Sequence, residues 1–187
     1  MFKSLLQKRI SEIDMPISLQ SSCAYESPQY LANPKHKVSL QKMFTSSQHI
    51  FYIVNVRNYH WICLCLSMKW RRIFSLDSKN GYSTCKSKAS EVIRVLRDHF
   101  NIDDIEWFNL KSPPQNDDCS CGIFTALNSA FLLKSILEGS FTKDSPTHIE
   151  QWGNKNFREE DKLSIRTCTK DVIYGDKDVA SLLEWLD

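Results

Sequence analysis

Residues 50–78 read IFYIVNVRNYHWICLCLSMKWRRIFSLDS, three runs rich in β-branched, aromatic and aliphatic residues separated by polar breaks. The first run, Ile50–Val56, is almost entirely apolar, which is typical of a strand buried on both faces. The other two runs, Trp61–Leu66 and Arg71–Asp77, are strand candidates joined by a short connection. The stretch therefore predicts three consecutive strands, of which the last two form a hairpin.

The register of that hairpin has a chemical consequence. A tight turn centred between Met68 and Lys69 would place His60 directly opposite Asp77, with Cβ atoms roughly 4.5–5.5 Å apart on one face. An aspartate in that position fixes the imidazole tautomer and stabilises the imidazolium. Met-Lys is not a favoured type I′ pair, so a four-residue loop with that centre is expected; a three-residue loop or a bulge would shift the register. Such a pair can be structural or catalytic.

Helical periodicity appears on the C-terminal side of these strands. Apolar residues recur at helical spacing over Lys86–Phe100 and Cys121–Glu138, and Gly139 after the second run suits a helix end. A further short strand, Ile105–Leu110, lies between them. Strands and helices grouped in this way predict an α+β domain.

A polar, proline-led loop runs straight into the second helix and reads PPQNDDCSCG over residues 113–122. It places Cys121 at or next to a helix N-terminus, where free N–H groups and the helix dipole stabilise a thiolate. Gly122 leaves space for a substrate carbonyl, and the Gln115 side-chain amide can donate to an oxyanion. The alternative is that Cys121 is a small apolar residue that starts a core helix.

Length and charge narrow the class of protein. A chain of 187 residues is expected to form a single domain, 1–187. The formal net charge of +2 gives no argument for nucleic acid or an anionic membrane, and no apolar run could span a bilayer. Charged residues interrupt the first 20 positions, which is unlike a secretory signal, so an intracellular protein is expected. The ends are harder to interpret: residues 21–36 are expected to lack regular structure, and Val179–Leu186 to form a short helix.

The chain contains seven cysteines, an odd number. Without a secretory signal a disulfide framework is not expected. Cys63, Cys65, Cys119, Cys121 and His60 could instead supply zinc ligands. However, pairs two residues apart on a strand differ from the usual C-x₂₋₄-C arrangement, and alternation along the strand suits ordinary packing. No metal or other cofactor is therefore expected.

His60-Trp61, Asp77-Ser78, Gln115 and Cys121-Gly122 together resemble the signature of the SUMO-type ubiquitin-like-modifier cysteine proteases (Ulp/SENP-like, clan CE). In that family an Asp follows the His-Trp by 17 residues and a Gln precedes the Cys-Gly by six, the spacings found here. The resemblance covers about residues 48–137, the expected catalytic core. It implies a papain-like fold, with a central mixed β-sheet flanked by helices and the nucleophile at a helix N-terminus.

The resemblance also implies an activity. A protease of this kind cleaves the peptide or isopeptide bond after the Gly-Gly tail of a ubiquitin-like modifier through a thioester, needs no cofactor, and is expected to act as a monomer in the cytoplasm or nucleus, or in a host cell if it is a secreted effector. The resemblance implies that Cys121 is the nucleophile, His60 the base and Asp77 the acid that orients it. It also implies that Gln115 donates to the oxyanion and that Trp61 forms the roof of the slot for the tail.

The sequence departs from the family pattern in three places. Ser120 stands where the family usually has an aspartate, Cys119 adds a second thiol, and residues 1–47 lack the family's Trp-Leu-(Asn/Asp)-Asp element and form a divergent N-terminal part. The glycine after Cys121 favours this cysteine over Cys119. Two other functions stay open, an effector-type acetyltransferase with the same Cys/His/Asp set and an inactive modifier-binding module. The sequence does not choose among SUMO, the Nedd-type modifier and ubiquitin.

Overall fold

The computed structural model describes residues 17–21, 33–56, 59–143 and 146–174. Within these ranges the strands are β1 (Ile17–Ser21), β2 (His49–Val56), β3 (His60–Ser67), β4 (Arg72–Leu76) and β5 (Glu106–Leu110). The helices are α1 (Pro34–Ser46), α2 (Tyr82–Phe100), α3 (Cys121–Leu137), α4 (Pro146–Gly153) and α5 (Glu159–Tyr174).

The five strands form one mixed sheet in the order β1-β2-β3-β4-β5. Its centre is an antiparallel meander, β2-β3-β4, while β1 runs parallel to β2 and β5 runs parallel to β4. This confirms the α+β class and the central mixed sheet. Because β3 runs opposite to β4 and β5, the start of β3 and the ends of β4 and β5 lie at one edge of the sheet. We call it the site edge.

Helices cover both faces of the sheet, and β3 contributes to both hydrophobic clusters. Ile62, Leu64 and Leu66 point to the cluster that contains Leu40 of α1 and Leu96 of α2. The intervening Cys63 and Cys65 point to the cluster built around α3, with Leu127, Phe131 and the α4 residue Trp152. Since successive side chains of a strand alternate between faces, only a sheet covered on both sides buries all five of these β3 residues.

Several predicted elements are confirmed, with shifted ends. Strand β2 contains Ile50–Val56, and α3 ends just before Gly139, whose φ of +69° suits glycine at a helix end. Helix α2 begins at Tyr82, four residues before the predicted Lys86. The first three residues of α2, Tyr82, Ser83 and Thr84, carry polar groups, so apolar spacing could not reveal them.

The predicted hairpin register is wrong by two residues. The connection has four residues, as expected, but it covers 68–71, so that Ser67 pairs with Arg72 and Cys63 with Leu76. The chain turns one residue later because Trp70 packs edge-on against His49, Phe74 and Phe141, and Arg71 closes the turn with a φ of 55°.

The N-terminal prediction is wrong in part. Residues 34–36, expected to be irregular, open α1, where the Asn33 side chain accepts a hydrogen bond from Lys35 N (3.0 Å) and Pro34 stands in the first turn. Ser21, also expected to be irregular, ends β1. Residues 22–32 and the predicted helix Val179–Leu186 lie outside the described residues. No helix in the described ranges is both long and apolar enough to cross a membrane.

Candidate active site

Sheet topology brings three segments together at the site edge. His60 is the first residue of β3, and Asp77 directly follows β4. The loop 111–120 leaves the end of β5 and leads into Cys121, the first residue of α3. We call it the nucleophile loop, after the role that the sequence predicts for Cys121. Residues far apart in the sequence thus meet because antiparallel and parallel neighbours share this edge.

The His60 ring contacts the Asp77 carboxylate, with 2.6 Å between Nε2 and Oδ1. Both residues are buried, at 6% and 4% exposure. The observed register places Asp77 opposite Ile62 rather than His60, but an error of two residues keeps a side chain on the same face, and diagonal neighbours are within reach of long side chains. The predicted pair therefore forms, although by a diagonal contact.

The other ring nitrogen of His60 is left available. Nδ1 is buried and has no hydrogen-bond partner among the described residues. In the tautomer with the proton on Nε2, Nε2 donates to Asp77 and Nδ1 carries a free lone pair. Such a nitrogen can accept a proton from a neighbouring thiol.

The Asp77 carboxylate is fixed by the chain that follows it. Its Oδ1 accepts a hydrogen bond from Lys79 N (2.9 Å) and its Oδ2 from Gly81 N (3.1 Å), in the turn that leads into α2. A Cβ atom at Gly81 would lie 2.5 Å from Oδ2, so this approach requires glycine. Asp77 is thereby held in one orientation toward His60.

Ser78 holds Gln115 from two sides. The Gln115 backbone N donates to Ser78 O (2.8 Å), and Ser78 Oγ donates to Gln115 Oε1 (2.8 Å). The Gln115 Nε2 group donates to the carbonyl of Asp117 at 2.6 Å. An amide NH₂ has two hydrogens, so this contact uses one and leaves the second for another acceptor.

The start of α3 combines a buried thiol with an open backbone. Cys121 is 7% exposed, whereas Gly122 is exposed and a Cβ atom there would meet nothing within 4 Å. The first helical hydrogen bonds come from Ile123 N and Phe124 N, both to Ser120 O. The amides of Cys121 and Gly122 precede them, in the first turn, where N–H groups have no acceptor within the helix.

A lysine two residues after Asp77 pairs with the nucleophile loop. Lys79 Nζ pairs with Asp118 Oδ1 at 2.6 Å, and this hydrogen bond raises the pKa of Lys79, with smaller contributions that include the nearby Cys121. Sequence reasoning missed Lys79, Ser78 and the charged contacts of the nucleophile loop with α5 because no local pattern signals them. Ser78 belongs to the Asp77-Ser78 part of the family signature, but the signature did not indicate its contacts with Gln115.

A buried polar cluster anchors the beginning of the nucleophile loop. Asn128 of α3 exchanges hydrogen bonds with Ser112 (Asn128 Nδ2 to Ser112 Oγ, 2.8 Å) and accepts one from Trp152 Nε1 (2.9 Å). The loop therefore starts from a point fixed to α3 and α4 and ends at the first turn of α3.

The remaining sequence candidates lie apart from this network. Trp61 is 37% exposed and, by strand alternation, faces away from His60; its role in a substrate slot stays a prediction. Cys63 and Cys65 are fully buried. In the part of the chain that the structure describes, the six cysteines are present as thiols, and no three His, Cys, Asp or Glu side chains converge as metal ligands would.

Solved structures with a similar fold include SUMO proteases and a bacterial effector. The SUMO protease Ulp1 with its catalytic cysteine oxidised to a sulfonic acid aligns with a TM-score of 0.65 and 17% identity, covering 94% of this chain and 74% of that one. The yeast Ulp1 domain in complex with Smt3 aligns at 0.59 and 17%, covering 88% and 69%. The Xanthomonas campestris effector XopD bound to ubiquitin aligns at 0.62 and 18%, covering 89% and 84%. At sequence identities this low, the structural similarity establishes the fold alone.

The sequence itself supplies the assignment to a family. A search among curated proteins finds no match. The family model described as "Ulp1 protease family, C-terminal catalytic domain" matches residues 1–172, which is most of the chain. This protein therefore belongs to the Ulp1 protease family.

Proposed function

We propose that this chain is a thiol protease that cleaves after the Gly-Gly tail of a ubiquitin-like modifier, with Cys121 as its nucleophile. The observation that carries the proposal is the buried 2.6 Å contact between His60 Nε2 and Asp77 Oδ1, which leaves Nδ1 without a partner at the edge where α3 begins. Membership of the Ulp1 protease family supports it. In this proposal residues 1–187 form one catalytic domain that acts as a monomer in the cytoplasm or nucleus.

The first half of the reaction forms a thioester. His60 Nδ1 takes the proton of Cys121 Sγ, and the thiolate attacks the carbonyl carbon of the tail's last glycine. Asp77 stabilises the resulting imidazolium and keeps its orientation. His60 then protonates the leaving amine, the C–N bond breaks, and the modifier remains attached through sulfur.

The second half returns the enzyme to its starting state. His60 takes a proton from water and the hydroxide adds to the thioester carbonyl. The C–S bond then breaks, His60 returns its proton to Cys121 Sγ, and the modifier leaves as a carboxylate whose acid proton goes to solvent. Both tetrahedral intermediates carry an oxyanion. We assign its donors to the remaining N–H of Gln115 Nε2 and the first-turn amides of α3; one such donor contributes roughly 3–4 kcal/mol in other enzymes.

The proposed substrate follows from the family and from the open position at Gly122. The structures with the same fold include complexes with Smt3 and with ubiquitin. A Gly-Gly tail has no side chains, so it can pass beside Trp61 and reach a buried thiol. SUMO, the Nedd-type modifier and ubiquitin share this chemistry.

A panel of modifiers with an electrophilic C-terminus tests the proposal. We expect at least one of the three to form a covalent adduct, and peptide mapping to place it on Cys121 alone. Cys121→Ser should abolish the adduct, whereas Cys119→Ser should retain it. An adduct on Cys119 or Cys63 with Cys121 untouched would contradict the assignment, and acetyl transfer from acetyl-CoA without hydrolysis would favour the acetyltransferase.

A further inference from the structure

A buried lysine on α5 lies behind the nucleophile loop. Lys162 is 3% exposed, and its Nζ contacts Asp117 Oδ2 at 2.8 Å and Glu159 Oε1 at 2.5 Å. A buried ammonium group is unfavourable unless it is paired and hydrogen-bonded. These two carboxylates raise the pKa of Lys162, so it stays charged and bound to the loop.

Asp117 connects this lysine to the reacting groups. Its Oδ1 accepts hydrogen bonds from the backbone N of Cys119 (2.9 Å) and of Ser120 (2.6 Å), the two amides directly ahead of the nucleophile. Its carbonyl oxygen accepts the hydrogen bond from Gln115 Nε2. One residue therefore fixes both the amide side chain assigned to the oxyanion and the backbone that enters α3.

The charge of Asp117 is secured by its surroundings. Burial alone would raise its pKa, but the hydrogen bonds from Lys162, Ser120 and the two backbone amides outweigh burial and hold the pKa well below the ordinary range. Asp117 is thus a carboxylate at neutral pH, and Lys162 is its cationic partner.

A second cation of α5 reaches the same loop one turn later. Arg166 lies 3.3 Å from Ser120 Oγ and 3.6 Å from Cys119 Sγ. Between the two cations, Ile165 is buried in the cluster around α3 and fixes this face of α5 against the domain. The helix is therefore anchored by apolar packing while its cations contact the loop.

We propose that Lys162 is a positioning residue: by holding Asp117, it keeps Gln115 and the amides ahead of Cys121 in the geometry that stabilises the oxyanion. This inference rests on the proposed function because it assumes acyl transfer at Cys121. Lys162 touches no reacting atom, so its effect is limited to steps in which an oxyanion develops.

Two reactions of the same thiol separate positioning from general damage. Hydrolysis of a modifier–fluorophore substrate passes through an oxyanion, whereas alkylation of Cys121 by iodoacetamide is a displacement at a saturated carbon and forms none. Lys162→Met should lower kcat by about 10- to 100-fold. It should change KM by no more than about threefold and leave the rate and pH profile of alkylation unchanged.

Three variants control the experiment. Arg158→Met removes an exposed cation that directly precedes the same helix and should match wild type. Lys162→Arg keeps the charge and should recover part of the lost kcat. Asp117→Asn keeps an acceptor for the loop amides, and should show the same separation if Lys162→Met does not fold. Circular dichroism fixes a temperature at which every variant is folded.

The outcomes are distinct. A fall in kcat with unchanged alkylation supports the proposal. Wild-type kcat in Lys162→Met, or a proportional loss of hydrolysis and alkylation in the folded variant, overturns it. Failure of the proposed function would appear differently, as a wild-type protein that neither cleaves nor is labelled by any of the three modifiers.

Discussion

Two adjacent residues, Asp77 and Ser78, orient different side chains of the site. The carboxylate of Asp77 contacts His60, and the hydroxyl and carbonyl of Ser78 both bind Gln115. The proposed base and the proposed oxyanion donor are therefore positioned by one dipeptide that follows β4. A small displacement of this dipeptide would disturb both halves of the proposed chemistry together.

Gln115 provides the test at this scale. Gln115→Ala should depress kcat much more than it changes KM, because the free N–H bonds to charge that develops in the transition state. Gln115→Glu should be at least as damaging at neutral pH, since it replaces a donor by an anion that faces the Asp117 carbonyl. Single-turnover kinetics measure the rate of each variant, and melting curves measure its stability. The control is Asn116→Ala, at the exposed neighbouring position. If both variants react at the wild-type rate, Gln115 has no catalytic role.

The sequence could predict the chemical pairing of residues but not the groups that support it. The contact between His60 and Asp77 follows from strand alternation and from their places in one hairpin. Lys162 lies 45 residues beyond Asp117, and a Lys on a helix face is ordinarily solvated, so nothing local indicates that it is buried. The catalytic assignment of Cys121, His60, Asp77 and Gln115 stays a prediction until it is tested.

At the scale of elements, the β3–β4 hairpin explains how a wrong register still gave the right neighbours. The observed pairing is shifted by two residues, an even number, so every side chain keeps its face. A shift of one would have turned Asp77 away from His60. The position of the loop depends on Trp70, which packs against His49 and Phe141. These two residues lie outside the hairpin, so the hairpin sequence alone could not predict the contact.

The turn from β4 into α2 yields a second prediction. Gly81→Ala would place a Cβ atom 2.5 Å from Asp77 Oδ2 and force the carboxylate away from His60. We expect kcat/KM to fall by about 10- to 100-fold, less than in Asp77→Asn, which supports the wrong imidazole tautomer.

The control is Gly139→Ala, at a position with positive φ and open space. It should lower Tm by straining the end of α3 and leave kcat/KM unchanged. Near-normal turnover in both Gly81→Ala and Asp77→Asn would show that the carboxylate does not orient the base.

At the scale of the whole molecule, three thiols are sealed inside the two clusters. Burial raises the pKa of Cys63 and of Cys85 to about 12 and that of Cys65 well above its ordinary value. The folded state therefore keeps these protons after an unfolded chain would lose them. This contribution to stability is fully present below pH 9 and is lost as the pH rises from 9 toward 12.

Alkaline melting curves test this linkage. Each pKa unit of separation corresponds to about 1.4 kcal/mol, so the Tm of wild type should fall steeply above pH 9. Cys85→Ala removes one titrating thiol; its Tm should lie below that of wild type at pH 8, and the gap should narrow as the pH approaches 11. A gap that is constant with pH would mean that Cys85 ionises alike in both states.

The contacts between α5 and the nucleophile loop also have a consequence for the activity of the chain during its synthesis. They join positions 45 to 47 residues apart, with the cations on the later side. Synthesis proceeds from the N-terminus, so a ribosome exposes the thiol, its base and its acid before it releases the helix that completes them. On our proposal a chain without docked α5 turns over about 10- to 100-fold more slowly, so modified proteins beside the translating ribosome are largely spared until α5 docks.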